Sequence, residues 1–175
     1  MPKIILPDKS ERVFKDPLSI DQLAADIGPG LAKSAVAGKI SGERVDASEL
    51  IIKDCEVEII KADSEEGLEV IRHSCAHLLA HALKQLYPEV KLAIGPTIEN
   101  GFYYDISLKH KITEDDLGNI EKRMKKLASE NYEVVREVVS KKKAKEIFKG
   151  RNEKYKLQII QDIPDEEIIA LYHHK

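Results

Sequence analysis

The sharpest chemical signal in the sequence is a set of three histidines. His73, His77 and His81 recur at four-residue spacing. On a helix that spacing places imidazoles on one face, about one turn (roughly 5–6 Å) apart. In His73-Ser74-Cys75-Ala76-His77 two imidazoles can address a single point. Such a pair suits two metal ligands, or a base and its partner around a bound water. It equally suits satisfied histidines on a packed helix. It is not the metalloprotease motif, because Ser74 stands where HExxH requires glutamate. Two ligands also do not close a zinc site. Cys75 falls between the histidines in sequence but points to another helix face. His173 and His174, near the chain end, are further imidazoles that a fold could bring to the pair.

Other residues are less pointed. Tyr103, Tyr104 and Asp105 follow a glycine turn, and on a strand one tyrosine faces the core and the other outward. Alone, each reads as an ordinary core or surface tyrosine. Lys156 reads as an exposed lysine within a basic stretch that also holds Lys141, Lys142, Lys143, Lys145, Lys149, Arg151 and Lys154. That stretch is either a nucleic-acid contact or, as such runs commonly are, a solvated helix face. A formal net charge of −3 argues against a domain coated in basic residues for nucleic acid. No serine–histidine–aspartate order and no cysteine–histidine pair stands out.

The element that must carry the histidines is Ser64–Tyr87. Leu68, Ile71, Cys75, Leu78, Leu79, Ala82, Leu83 and Leu86 recur at helical spacing and predict its apolar face. Ser64 caps the start, Glu65 and Glu66 suit the first turn, and Pro88 stops the helix. Before it, Lys3–Leu6 and Glu11–Phe14 predict a hairpin, Ser19 caps a short helix, and Ser41-Gly42 joins two more strands. A last strand over Glu56–Ile60 completes a small mixed sheet over one helix. Its core is marginal alone, so docking or a linked neighbour is expected. Lys61-Ala62-Asp63 reads as the linker. After the long helix, Asn100-Gly101 predicts a turn and the aromatic run beyond it a strand. Thr113 starts a helix with Asp116 as its capping partner. A strand over Tyr132–Val139, a lysine-rich helix after Ser140, a short helix over Lys154–Ile160 and a strand over Ile168–His173 follow. Strands and helices mix without repeated strand–helix units, which predicts an α+β fold.

At 175 residues and 42% hydrophobic, the chain is long enough for one large or two small domains. No run approaches the roughly 18 apolar residues of a membrane span. MPKIILPDKS lacks a secretory signal pattern, and the two cysteines, Cys55 and Cys75, fall in different modules. No membrane association and a reducing, cytoplasmic compartment are expected.

In combination, these motifs bear a resemblance. Ile71-Arg72-His73-Ser74-Cys75-Ala76-His77-Leu78-Leu79, then Ala93-Ile94-Gly95-Pro96, then Asn100-Gly101-Phe102-Tyr103-Tyr104-Asp105 resemble the amino-terminal region of bacterial threonyl-tRNA synthetases. Residues 1–62, including Asp26-Ile27-Gly28-Pro29-Gly30-Leu31-Ala32, resemble their TGS domain, a small ubiquitin-like β-grasp. Residues 63–175 resemble most of their α+β editing domain, built around the long HxxxH helix. The resemblance implies a parent threonine–tRNA ligase whose proofreading module hydrolyses mischarged Ser-tRNA(Thr). His73, His77 and Lys156 match catalytic positions, and Tyr104 matches a substrate-binding tyrosine. It implies tRNA(Thr) and its seryl ester as partners. No metal and no cofactor are expected in this stretch; ATP, magnesium and zinc belong to the family's separate catalytic domain. The family's editing domain continues into an aspartate and a CxxxH segment, whereas this chain stops at His173-His174-Lys175. The expectation is therefore a truncated, weakly active or inactive editing region, monomeric although the parent enzyme dimerises. The alternative is a nonenzymatic RNA-binding or metal-binding module.

Overall fold

Short-range signals build the first half of the chain. In the computed structural model, which describes residues 1–174 (without the His174 side chain), β1 (Lys3–Ile5) and β2 (Glu11–Val13) form an antiparallel hairpin. Asp8 turns it by accepting from the Ser10 amide at 2.9 Å and hydroxyl at 2.6 Å. After β3 (Leu18–Ser19), Ser19 opens α1 (Ile20–Ile27), its amide donating to Gln22 Oε1 at 2.9 Å. Gly28 ends α1, and Pro29 begins α2 (Pro29–Ser34). β4 (Ala35–Ile40) and β5 (Glu43–Asp46) pair across Ser41-Gly42, where both residues have positive φ. That is the twist a two-residue hairpin loop demands. β6 (Leu50–Ile51) pairs with β3, and β7 (Cys55–Lys61) lies parallel to β1 and antiparallel to β4.

The five-stranded sheet runs β2-β1-β7-β4-β5. Ile20 and Leu23 of α1 are fully buried on it beside Ile4, Ile51 and Val57. The expected linker is a hydrogen-bonded turn. Ala62 donates to the Ser34 carbonyl at 2.7 Å, and Ser64 Oγ donates to the Lys61 carbonyl while accepting from Gly67.

The chain packs as two compact units, Met1–Arg72 and His73–Lys175. α3 (Glu65–Leu86) supplies residues to both. Its tight face coincides only in part with the one the leucine spacing predicts, sharing Ala82 and Leu83. Ala76, Ala80, Ala82 and Leu83 are buried, whereas Leu68, Ile71 and Leu86 keep 43%, 40% and 37% of their surface exposed. Alanines weigh little in a hydrophobic pattern, yet their small side chains allow the closest packing.

In the second unit, β8 (Lys91–Leu92) pairs with β11 (Ile106–Ser107), and β9 (Thr97–Ile98) with β10 (Gly101–Phe102). The strand expected across the aromatic run is thus divided. Its start pairs with β9 and its end with β8, so no single ladder spans it.

α4 (Glu114–Ser129) opens as its sequence predicts. The Thr113 amide and hydroxyl donate to Asp116 Oδ2 at 2.8 and 2.7 Å, while Tyr87 Oη donates to Asp116 Oδ1 at 2.8 Å. Thr113, Tyr87 and His110 together hold the Asp116 carboxyl far below the usual carboxylate range. A group whose folded pKa is depressed contributes stability above its unfolded pKa and loses it as pH falls. Stability should therefore decline below about pH 4. Asp116→Asn should lower stability at neutral pH and flatten that decline. Urea midpoints at several pH values check this, and an unchanged acid limb in the variant would assign it elsewhere.

β12 (Val134–Val139) and β13 (Ile169–His174) form an antiparallel ribbon, with α5 (Lys141–Gly150) and α6 (Lys154–Asp162) between them. Val139, Ala144, Ile160 and Ile169 make their shared core, and Ala80, Leu83, Val90, Leu92 and Ile120 make a second one.

Candidate functional site

α3 delivers the histidine pair as its spacing requires. His73 Nε2 and His77 Nε2 lie 3.1 Å apart, with ring centroids at 4.7 Å in edge contact. At that distance one nitrogen donates and the other accepts. Both residues are exposed. Tyr172 of β13 lies beside them, its ring centroid 6.0 Å from that of His77. The pair offers a proton acceptor and a donor on an open surface, which is what activating a water requires.

His81, one turn on, serves a different purpose. Arg123 Nε donates to Gln85 Oε1 at 2.5 Å. The amide nitrogen of Gln85 is therefore turned to His81 Nε2, 3.0 Å away. That nitrogen must accept, which leaves the proton on Nδ1 for the Tyr132 hydroxyl at 3.1 Å. His81 thus links α3 to α4, through Gln85 and Arg123, and to Tyr132 just before β12. His173 is likewise not brought to the pair: its Nε2 lies 2.9 Å from Glu137 Oε2. Residues alternate along a strand, so Tyr172 rather than His173 faces His77. The side chain of His174 lies outside the described residues.

Lys156 departs from its sequence reading. It is half-buried in the first turn of α6, and its Nζ donates to the Ala93 carbonyl at 2.8 Å. The ammonium stands 5.9 Å from the centre of the Tyr104 ring, within cation–π range. Burial pulls the Lys156 pKa down, and the negative charge of Glu153 pulls partly back. Burial, and secondarily Glu153, push the Tyr104 phenol up.

Tyr103 faces solvent and Tyr104 joins the core, although both lie in the connection between β10 and β11 rather than on the expected strand. Tyr104 is fixed by Gly95. A β-carbon at residue 95 would stand 2.4 Å from the ring, so only glycine lets the aromatic face lie on this backbone. The two segments are tied by Ala93 N to Asp105 O (2.9 Å) and Asp105 N to Ile94 O (2.8 Å).

Sequence reasoning missed the support beneath this lysine. Glu153 is only 6% exposed and is ion-paired to Lys84 of α3. Lys84 also donates to the Val90 carbonyl at 2.6 Å. The one available hint was an acidic residue inside a basic stretch.

The basic stretch itself divides. Lys141 bonds the Ile163 carbonyl and Asp165, Lys143 pairs with Glu137, and Lys156 turns inward. Lys142, Lys149, Arg151 and Lys154 remain exposed. Among the described residues, no group of three or more His, Cys, Asp or Glu side chains converges to hold a metal. His73 and His77 alone therefore supply fewer ligands than a zinc centre needs. No helix among the described residues is long and apolar enough to cross a membrane.

The first unit defines a class of module: a β-grasp sheet packed against α1, with the short α2 following it, and then an α+β region. Residues 2–61 match the family model of the TGS domain. A TGS domain fits the amino terminus of threonyl-tRNA synthetases and also occurs in other proteins, GTPases among them.

Proposed function

We propose that this chain is the amino-terminal part of a threonine–tRNA ligase and that residues 63–175 belong to its editing domain, which hydrolyses Ser-tRNA(Thr). The observation that carries this reading is a paired His73–His77 face on the helix directly following a TGS domain.

The chemical need is a small difference in size. Serine lacks one methyl of threonine, and one methyl in a pocket is worth only about 1–3 kcal/mol. A second site that admits the smaller ester and rejects the larger supplies the missing discrimination. In this reading a water held at the imidazole pair attacks the ester carbonyl. The accepting nitrogen takes the water proton as the new C–O bond forms. The ester C–O bond then breaks, and the proton passes to the departing ribose hydroxyl. Lys156 stabilises the charge that develops on the carbonyl oxygen, and Tyr104 forms a wall of the amino-acid pocket. ATP, magnesium and zinc serve the separate aminoacylation domain, and tRNA(Thr) is the macromolecular partner.

The test is deacylation of Ser-tRNA(Thr) and Thr-tRNA(Thr) by this chain and by the full-length protein. Serine-selective hydrolysis by either supports the reading. Hydrolysis by neither, with tRNA binding retained, favours a nonenzymatic RNA-binding module.

The divided basic stretch makes a separate prediction. Neutralising Lys142, Lys149 and Arg151 should weaken tRNA binding. It should also lower the slope of log K against log salt by roughly 0.7–0.9 for each phosphate left without its cation. Neutralising Lys141 and Lys143, whose charges are already paired, should change the slope less. Equal slopes for the two sets would mean that this face does not meet RNA.

A further inference from the structure

We propose that Glu153 is a positioning residue for Lys156: its buried carboxylate, anchored by Lys84, keeps the Lys156 ammonium charged and in place between the Ala93 carbonyl and the Tyr104 ring. Its catalytic consequence rests on the editing reading above; its electrostatic content does not.

Glu153 is the residue at the head of α6, and Lys156 lies three positions on. Side chains at that spacing share a helix side. Glu153 is 6% exposed, and one carboxylate oxygen is ion-paired with Lys84. The other, Oε2, is buried and has no hydrogen-bond donor among the described residues. A buried carboxylate is costly unless nearby positive charge offsets it. One ion pair leaves half of this one unsatisfied by hydrogen bonds.

The charge of Glu153 acts on its neighbours. A half-buried ammonium tends to lose its proton, because low-dielectric surroundings disfavour the charged form. Lys156 is subject to that pull, and the negative charge of Glu153 is what opposes it. The same charge reaches the Tyr104 phenol and favours its neutral form. The groups around Lys156 are Tyr104 from the β10–β11 connection, Glu153 at the head of α6, and Lys84 of α3 behind Glu153. Lys91 of β8 bonds the Asn152 carbonyl, next to Glu153 in the chain, at 3.0 Å. Among the described residues, Glu153 is the carboxylate whose charge acts on Lys156.

An uncharged Lys156 cannot stabilise a developing oxyanion, so the carboxylate sets the pH range over which the lysine is useful. Glu153 does not itself touch the reacting atoms.

The experiment uses the full chain with lysine side chains labelled for NMR, in wild type and in Glu153→Gln. Lys156, assigned by its loss in Lys156→Arg, is titrated from about pH 6 to about pH 11, spanning the ordinary lysine value near 10.4. In Glu153→Gln it is expected to titrate at lower pH than in wild type. In a hydrolytically active full-length enzyme, kcat for the seryl ester should fall with little change in KM. The deficit should grow as pH rises, because the basic limb moves to lower pH. Should Glu153→Gln unfold for want of a partner for Lys84, the double variant Lys84→Gln/Glu153→Gln removes both members of the ion pair and is titrated instead. A folded variant whose Lys156 titrates as in wild type overturns the proposal. A shifted titration with no seryl-ester hydrolysis in the wild-type full-length enzyme upholds it and sinks the editing reading instead.

Discussion

If residues 63–175 belong to an editing domain as proposed, His77→Ala is expected to lower the hydrolysis of Ser-tRNA(Thr) by about 10²–10⁴-fold in the full-length protein, the range that a positioned acid or base contributes. Its urea midpoint should hardly move. His77 is exposed on α3, and exposed substitutions usually stay within about 0.5 kcal/mol. The two effects separate because the imidazole packs against His73 and beside the tilted Tyr172 ring rather than into either core of its unit. A structural histidine would show the reverse, a lowered midpoint with a proportionate loss of activity. His73→Ala should give a similar loss, and the double variant should cost little more than either single one, because a donor–acceptor pair acts as a unit. Additive losses would instead assign the two rings independent tasks.

Lys84→Met should destabilise the chain by about 3–5 kcal/mol, the usual cost of breaking a buried ion pair from one side. Lys84 joins three segments through one ammonium: α3 itself, the Val90 carbonyl before β8, and Glu153 at the head of α6. Removing it leaves Glu153 buried with neither oxygen paired. Lys84→Met/Glu153→Leu should recover most of the loss, because no charge then remains to be hydrated. Urea unfolding at constant m-value reads both results. A single variant within about 1 kcal/mol of wild type would mean that Glu153 is stabilised by groups other than Lys84. The double variant also has a functional corollary. It should fold yet have Lys156 titrate at lower pH, separating what the pair does for stability from what its carboxylate does for the lysine.

Where the chemistry is local, it is legible in the residues. His73 and His77 are four apart on one helix, so no distant part of the chain has to be placed correctly for their nitrogens to meet. The same holds for the Ser41-Gly42 hairpin, the Ser19 and Thr113 helix starts and the helix opening at Ser140. Each depends on backbone geometry within three or four residues, and each is present in the structure. Only the resemblance, not the residue pattern, singles out Lys156 and Tyr104. By the pattern alone, Lys156 is one of a row of surface lysines.

Tertiary structure decided the rest. Lys156 bonds a carbonyl 63 positions away, and Glu153 meets an ammonium on a helix that ends well before it. Neither contact leaves a periodic trace, because burial of one polar residue is set by what another element places over it. The tight face of α3 is a similar case: Ala76 and Ala80 join it beside the expected Ala82 and Leu83, while Leu68, Ile71 and Leu86 of the hydrophobic pattern remain partly exposed. The division of the aromatic run follows from which strand each end can reach, β9 or β8. The sequence by itself therefore determined the hairpins, the helix starts, the α+β class and the imidazole pair, because each follows from short-range geometry, whereas the parallel β1–β7 pairing that completes the β-grasp sheet joins Ile4 to Cys55 and is long-range. Packing between distant segments decided which lysine turns inward, which carboxylate lies beneath it and which glycine carries the tyrosine ring.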